Sequence, residues 1–317
     1  TTRLELSPHF YFWKINQNND LAKRKVVVLP RWNTKFKFNK AEKLELNYHL
    51  TTNFADVSYF SDRFYLRNFN AIFVGNALLE NELFHQGSIR YKKSSWVSNY
   101  DFNTSLTYIH KTQRIRNESI LLGILQITSP NLVSTPMEEW NWNANFRKGI
   151  KKVNVKLKSN IRFSKFDQLI NLEELPTRKT NLRNGISLTT KFKRYPNVEI
   201  GLNHTLQKFQ LEESKSTFQR KELYAFIDYS FLNDFTFNFD YEGTFFKNDF
   251  GASSRYGIAN ASLFFQKEGA PFGFEIKISN LFNTRIRREA MFTQSVIADV
   301  SMTVLPRIIL FSLTYKL

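Results

Sequence analysis

A two-residue alternation of apolar and polar side chains runs through almost all of this chain, and it constrains the fold more than any other feature. Successive side chains of a β-strand point to opposite faces, so the alternation describes ribbons with one greasy and one wet side. From Phe235 one face reads Phe235, Phe237, Phe239, Tyr241, Gly243 and Phe245, and the other reads Thr236, Asn238, Asp240, Glu242 and Thr244. Leu223, Ala225, Ile227, Tyr229 and Phe231 form the apolar face of the preceding segment, with the tight-turn signal Asn233-Asp234 between the two. Val153 to Phe163, Leu44 to Leu50, Trp140 to Phe146 and Val198 to Leu206 repeat the pattern. No stretch sustains a 3.6-residue period, so the chain is expected to be all-β, without a long helix.

Linked together, these segments predict about fourteen antiparallel strands of roughly 9 to 14 residues, the length that crosses a bilayer at a tilt. Short turns are expected at Asn39 to Glu42, Lys93 to Trp96, Lys148 to Lys151, Tyr195 to Asn197, Asn233-Asp234 and Glu268 to Pro271. Longer connections are expected at Asn16 to Lys25, Asn53 to Glu82, Thr112 to Pro136, Asp167 to Asn181, Leu211 to Phe218, Asn248 to Ser254 and Thr284 to Ala298. Short turns at one end and long loops at the other are the pattern of a transmembrane antiparallel β-barrel of a Gram-negative outer membrane. The composition agrees. Thirty-two Phe and a formal charge of +17 must occupy separate surfaces, which a barrel provides by turning rings to lipid and polar groups to a wet interior. No run of roughly 18 to 20 apolar residues offers a spanning helix, and the absence of Cys excludes a disulfide scaffold, thiol chemistry and Cys-ligated metal.

Lys35, Lys37, Arg147, Lys156, Lys158 and Arg162 fall on polar faces and are expected to point into the lumen. There a cationic passage would concentrate anionic solutes. Arg285, Arg287 and Arg288 are expected in a loop, against lipopolysaccharide phosphates. Trp13, Trp32, Trp96, Tyr100 and Tyr256 are candidates for interfacial aromatic girdles. The five histidines, His9, His49, His85, His110 and His204, are scattered without metal-ligand spacing. No phosphate-binding glycine loop is present, so no enzyme, cofactor or metal centre is expected. The basic residues form no single patch with stacking rings, so nucleic acid is not an expected partner.

The segment Gly75-Asn76-Ala77-Leu78-Leu79-Glu80-Asn81-Glu82 resembles the Gly-Asn-Pro-x-Leu-x-Pro-Glu element of TonB-dependent outer-membrane receptors of the Bacteroidota type. Gly75, Asn76, Leu79 and Glu82 match, and Ala77 and Asn81 replace the two prolines. Ile278-Ser279-Asn280-Leu281-Phe282-Asn283 looks like the ending of the penultimate strand in these receptors, and Pro306-Arg307 precedes a terminal strand. Its face of Ile309, Phe311, Leu313, Tyr315 and Leu317 resembles the signal read by barrel-assembly machinery. The resemblance implies energised uptake of a bulky nutrient such as a siderophore, glycan or peptide. It also implies a plug domain, TonB and a surface lipoprotein as partners, lumenal cations paired with plug acids, and a barrel of about 22 strands. Residues 1–317 contain the barrel region alone, without a recognisable plug, TonB box or signal peptide. Two readings follow: the C-terminal part of a larger receptor barrel, or a self-contained fourteen-stranded barrel acting as a porin-like channel or a structural member of an envelope complex. The longest connections, Asn53 to Glu82 and Thr112 to Pro136, are the expected ligand or partner contacts.

Overall fold

The structure, a computed structural model, describes backbone and side chains of residues 1–11, 25–61, 63–249, 251, 253–287 and 300–315, and the backbone alone of 12–15, 21–24, 288–292 and 297–299. Its strands are β1 (Thr2–Ile15), β2 (Leu21–Asn39), β3 (Glu42–Asn53), β4 (Phe64–Asn68), β5 (Ala71–Val74), β6 (Glu82–Ser95), β7 (Tyr100–Leu122), β8 (Leu125–Val133), β9 (Met137–Ile150), β10 (Val153–Ile170), β11 (Glu173–Thr190), β12 (Asn197–Leu211), β13 (Ser214–Phe231), β14 (Phe235–Asn248), β15 (Ser253–Gln266), β16 (Phe272–Ser279), β17 (Ile286–Phe292), β18 (Ile297–Thr303) and β19 (Ile308–Tyr315). One antiparallel row of fourteen strands forms the wall. It runs β1, β2, β3, β6, β7, β9, then β10 through β16, and ends with β19 against β16. Strands β4, β5 and β8 join the same sheet beside this row, and β17 and β18 form a separate hairpin.

Register carries the sequence alternation across the wall. Leu106, Trp142, Ile161, Leu182 and Leu206 stand directly opposite one another on five successive strands, β7, β9, β10, β11 and β12. On this face Trp142 is 38% exposed, Leu202 40% and Leu223 46%. A soluble sandwich would bury such a face against a second sheet, and an exposed apolar surface of this extent is unstable in water. The face is therefore a lipid face, and the wall is that of an outer-membrane β-barrel. The outward apolar stretches, Val198–Leu206 on β12 and Phe235–Phe245 on β14, match the roughly 9 to 11 residues that a tilted strand needs to cross the hydrocarbon.

At the outer end, where the long connections lie, the polarity of the faces inverts. Phe166, Phe209, Phe218 and Phe246 are buried on the inward face, while Lys165, Lys208, Thr217 and Lys247 point outward on the same strands. Apolar-in and polar-out is the arrangement suited to water, so the inversion marks where the strands leave the membrane. It also corrects two expected loops. Asp167 to Asn181 and Leu211 to Phe218 are strand hairpins, β10 with β11 and β12 with β13. The first closes on Asn171 and Leu172 at φ 50° and 69°. Their outward polar residues concealed the period.

Among the described residues no ladder joins β1 to β19. Leu4 is 70% exposed, Phe10 78% and Phe311 67%, well above apolar residues inside the wall, as unflanked strands should be. A depth test follows from the inversion. Leu202→Arg, at mid-span, should destabilise the membrane-embedded wall by about 2–4 kcal/mol, and Gln210→Arg, beyond the apolar rows, by about 0–1 kcal/mol. Denaturant titration in lipid vesicles reads the difference, and equal costs would refute the assigned boundary.

Candidate functional site

The connection between β3 and β6 is built around the Gly75–Glu82 segment. A Cβ on Gly75 would lie 2.2 Å from the Ser61 carbonyl oxygen, so only glycine fits where this backbone crosses the turn before β4. The Asn76 backbone N–H donates to the Tyr59 carbonyl (2.7 Å). Its side-chain Nδ2 donates to the Pro130 carbonyl (3.2 Å) and to Asn131 Oδ1 (2.8 Å), while Oδ1 accepts from the Leu78 N–H (2.9 Å). Leu79 and Asn81 are buried, and Asn81 Nδ2 donates to Thr52 Oγ1. Glu82, itself buried, accepts from Lys111 Nζ (2.9 Å) and from the Ile115 N–H (2.9 Å). The four matching residues thus close a buckle, with two of them fixing backbone, one filling a small core and one anchoring β7.

From this buckle a polar chain crosses the outer platform. Asn131 Nδ2 donates to Glu118 Oε2 (2.5 Å), and Arg116 bridges Glu118 (3.0 Å) and Glu174 (2.9 Å). Arg114 donates to the Asp167 carbonyl (2.5 Å) and lies over the Phe166 ring at 5.7 Å. Burial, and then the neighbouring Arg116, push its guanidinium below the ordinary arginine value. The two longest connections are also joined through backbone, because β5 pairs in parallel with β8 (Ala71 with Gln126, Ile72 with Ile127, Phe73 with Thr128). The outer part of β7 in turn pairs with β8 and, in parallel, with β10. Three tips meet at the top: Asn70 Nδ2 donates to the Ile124 carbonyl (3.1 Å), and the Leu121 N–H donates to Asn171 Oδ1 (2.8 Å). Phe69, Ile124 and Leu172 stand exposed there.

All six basic residues expected in the lumen share the polar face by register, and they are not one cluster. Lys35 pairs with Glu45 (3.0 Å) and Arg162 with Glu139 (3.4 Å). Lys156 and Lys158 line a recess of about 420 Å³ with Tyr224, Tyr256, Glu222 and Arg287. Tyr224 covers Gly201, where a Cβ would meet its ring at 2.2 Å. Lys37 and Arg147 lie on the β2 and β9 segments of the same face. Sequence parity placed each residue on its face, but the recess joins strands as far apart as β10 and β15 and so was not foreseeable. Arg287 sits 5.3 Å above the Tyr256 ring, inward, and not against lipid. Tyr256 is accordingly no girdle residue, and Trp96 is fully exposed in an inner turn. Trp32 and Tyr100 are on the apolar face. The side chains of Trp13 and Arg288 lie outside the described residues, as does Leu317. Ile309, Phe311, Leu313 and Tyr315 share one face of β19 and pair with Ile278, Ile276, Phe274 and Phe272.

No family profile and no curated protein matches the chain. Solved structures resemble it, among them these three. The ferric yersiniabactin uptake receptor FyuA of Yersinia pestis is 8% identical over 98% of this chain and 52% of its own, with a TM-score of 0.45. The outer-membrane protein OmpT of Vibrio cholerae, a trimer, is 8% identical over 99% and 97%, at 0.33. The toluene transporter TodX of Pseudomonas putida is 7% identical over 92% and 82%, at 0.26. The chain spans about half the length of the Yersinia receptor. At these scores the fold rests on the strand geometry above, and the ligands of those proteins are theirs alone.

Glu82→Gln, which leaves the half-buried Lys111 without its carboxylate, should cost the outer platform about 1–3 kcal/mol. Gly75→Ala should act in the same direction by steric overlap. Limited proteolysis should cut between β3 and β6 faster in both variants while the wall keeps its heat-modifiable gel mobility. Unchanged cleavage would show that the buckle does not hold the connection.

Proposed function

We propose that the chain is the wall of an outer-membrane uptake receptor, carrying a bulky nutrient across the membrane in an energised, TonB-dependent cycle. The observation that carries this reading is the pair of edge strands. In hydrocarbon an open edge leaves backbone N–H and C=O groups unpaired at a cost of several kcal/mol each. The edges β1 and β19, unpaired with each other among the described residues, are therefore expected to meet further strands of a larger barrel. The Gly75–Glu82 resemblance supports the receptor class. The joined connections, with Phe69, Ile124 and Leu172 at their tips, supply a rigid platform on which a ligand or a surface partner could rest. The recess around Lys156 and Lys158, with carboxylates opposite, suits a plug or a polar substrate. The face of β19 serves recognition by assembly machinery.

The chain has no cysteine of its own, so a crosslink can be read cleanly. With Glu5→Cys on β1 and Ser312→Cys on β19, oxidation of the native protein in its membrane should give no intramolecular disulfide. Efficient crosslinking would establish direct β1–β19 closure and favour the self-contained barrel. Uptake should stop when the inner-membrane proton gradient is collapsed, whereas flux that persists would identify a passive pore.

A further inference from the structure

Charges on β12 through β15 are sorted by sign. Every carboxylate on these strands, Glu199, Glu222, Asp228, Asp240 and Glu242, is on the polar face by register. Of the cations, only Arg220 joins them, paired with Glu222 at 2.7 Å. Lys208, Lys215, Lys221, Lys247 and Arg255 all point outward, on the face of Leu202 and Leu223, and all are exposed. No carboxylate shares that face on these strands. Lys165 and Arg178 extend the group onto β10 and β11, directly opposite one another.

The positions of these cations follow a plane. Arg255 is in register with Phe245, Lys221, His204, Asn184 and Ser159. Measured outward from that row, the first cation stands at the row itself on β15 and β13, two residues beyond on β14 (Lys247), four beyond on β12 (Lys208), and six beyond on β11 and β10 (Arg178, Lys165). Six residues rise roughly 20 Å along a strand, and five strand spacings cover roughly 24 Å across the sheet. The line of cations is inclined by about 40° to the perpendicular of the strands, which is the inclination a membrane surface takes when barrel strands tilt by about 35–45°. Immediately below the line lie Phe163, Leu182, Leu206, Leu223 and Phe245, the last apolar residues before the inversion.

We propose that this belt binds the phosphorylated headgroups of the outer-leaflet glycolipid. The band is free of carboxylates on β12 through β15, and on β10 and β11 Asp167 and Glu174 follow only beyond the cations. Set at the edge of a lipid-facing apolar surface, it has lipid acyl chains below it and anionic headgroups at its own height. Charge and position together select a lipid phosphate over a soluble one. Binding orients the wall in the leaflet and anchors β10 through β15, the strands that carry the recess.

The test places purified protein in phosphatidylcholine nanodiscs containing a bis-phosphorylated lipid A glycolipid and counts bound glycolipid by native mass spectrometry. The wild type should retain glycolipid, lose it at about 1 M salt, where the screening length falls to about 3 Å, and discriminate against the dephosphorylated glycolipid. Lys208→Gln combined with Lys221→Gln, Lys247→Gln and Arg255→Gln should weaken retention tenfold or more with heat-modifiable mobility intact. The inner-turn pair Lys151→Gln and Lys152→Gln should leave it unchanged. If the fourfold variant does not fold, single Lys221→Gln and Lys247→Gln changes should each give a partial loss, and full retention in both would overturn the proposal. Equal retention by a folded fourfold variant, equal binding of dephosphorylated glycolipid, or displacement by millimolar inorganic phosphate would also overturn it.

Discussion

The antiparallel hydrogen-bond ladder is the constraint from which the rest of this structure follows. In hydrocarbon no water is present to satisfy a backbone N–H or C=O, so each strand must be paired along its whole length by its neighbours. The continuous registers from β1 to β19 meet that demand inside the wall with a single layer and leave, among the described residues, one open edge on β1 and one on β19. One layer cannot bury a core, so stability rests on lipid against Trp142, Leu202 and Leu223 on one side and on polar networks on the other, such as Asn160 donating to Asn141 (2.9 Å) and Asn143 (2.5 Å). Among the described residues the large buried apolar side chains, Phe73, Leu79, Phe166, Phe209, Phe218 and Phe246, lie where the strands outrun the membrane.

That outer region explains how a thin wall supports rigid connections. A long loop ordinarily loses much conformational entropy when it is held in one geometry. Here the cost is offset by backbone pairing of β5 with β8, by the Gly75–Glu82 buckle and by the buried Arg114 and Arg116 network. Each carboxylate in this network accepts from more than one donor or from a buried cation, as satisfied buried charge requires. The consequence for function is a platform held by the wall itself, so a ligand meeting the tips would pay little ordering cost.

Much of this was legible in the residues. Period-two alternation placed Lys35, Lys156 and Arg162 on the polar face and Trp142 and Leu206 on the apolar one. It was misleading where the environment changes along one strand. Lys208 and Phe209 continue β12 with the faces exchanged, and a reader of the sequence sees the apolar run end and infers a loop. Gly75, Asn76, Leu79 and Glu82 were identifiable as a resemblance, but their partners Ser61, Pro130, Asn131 and Lys111 were not, because those contacts depend on which connection folds against which.

The sequence by itself determined the strands, their two faces and the length of the membrane span, since all three are local consequences of a backbone in which neighbouring side chains point opposite ways. Only the tertiary structure decided the offsets between strands. Those offsets bring Lys158 and Arg287 into one recess and join the two longest connections. They also align Lys165, Lys208, Lys247 and Arg255, scattered over ninety positions of sequence, into one inclined belt. Register is a relation between strands, set by how each hairpin closes and how its neighbour pairs, and no single strand contains it.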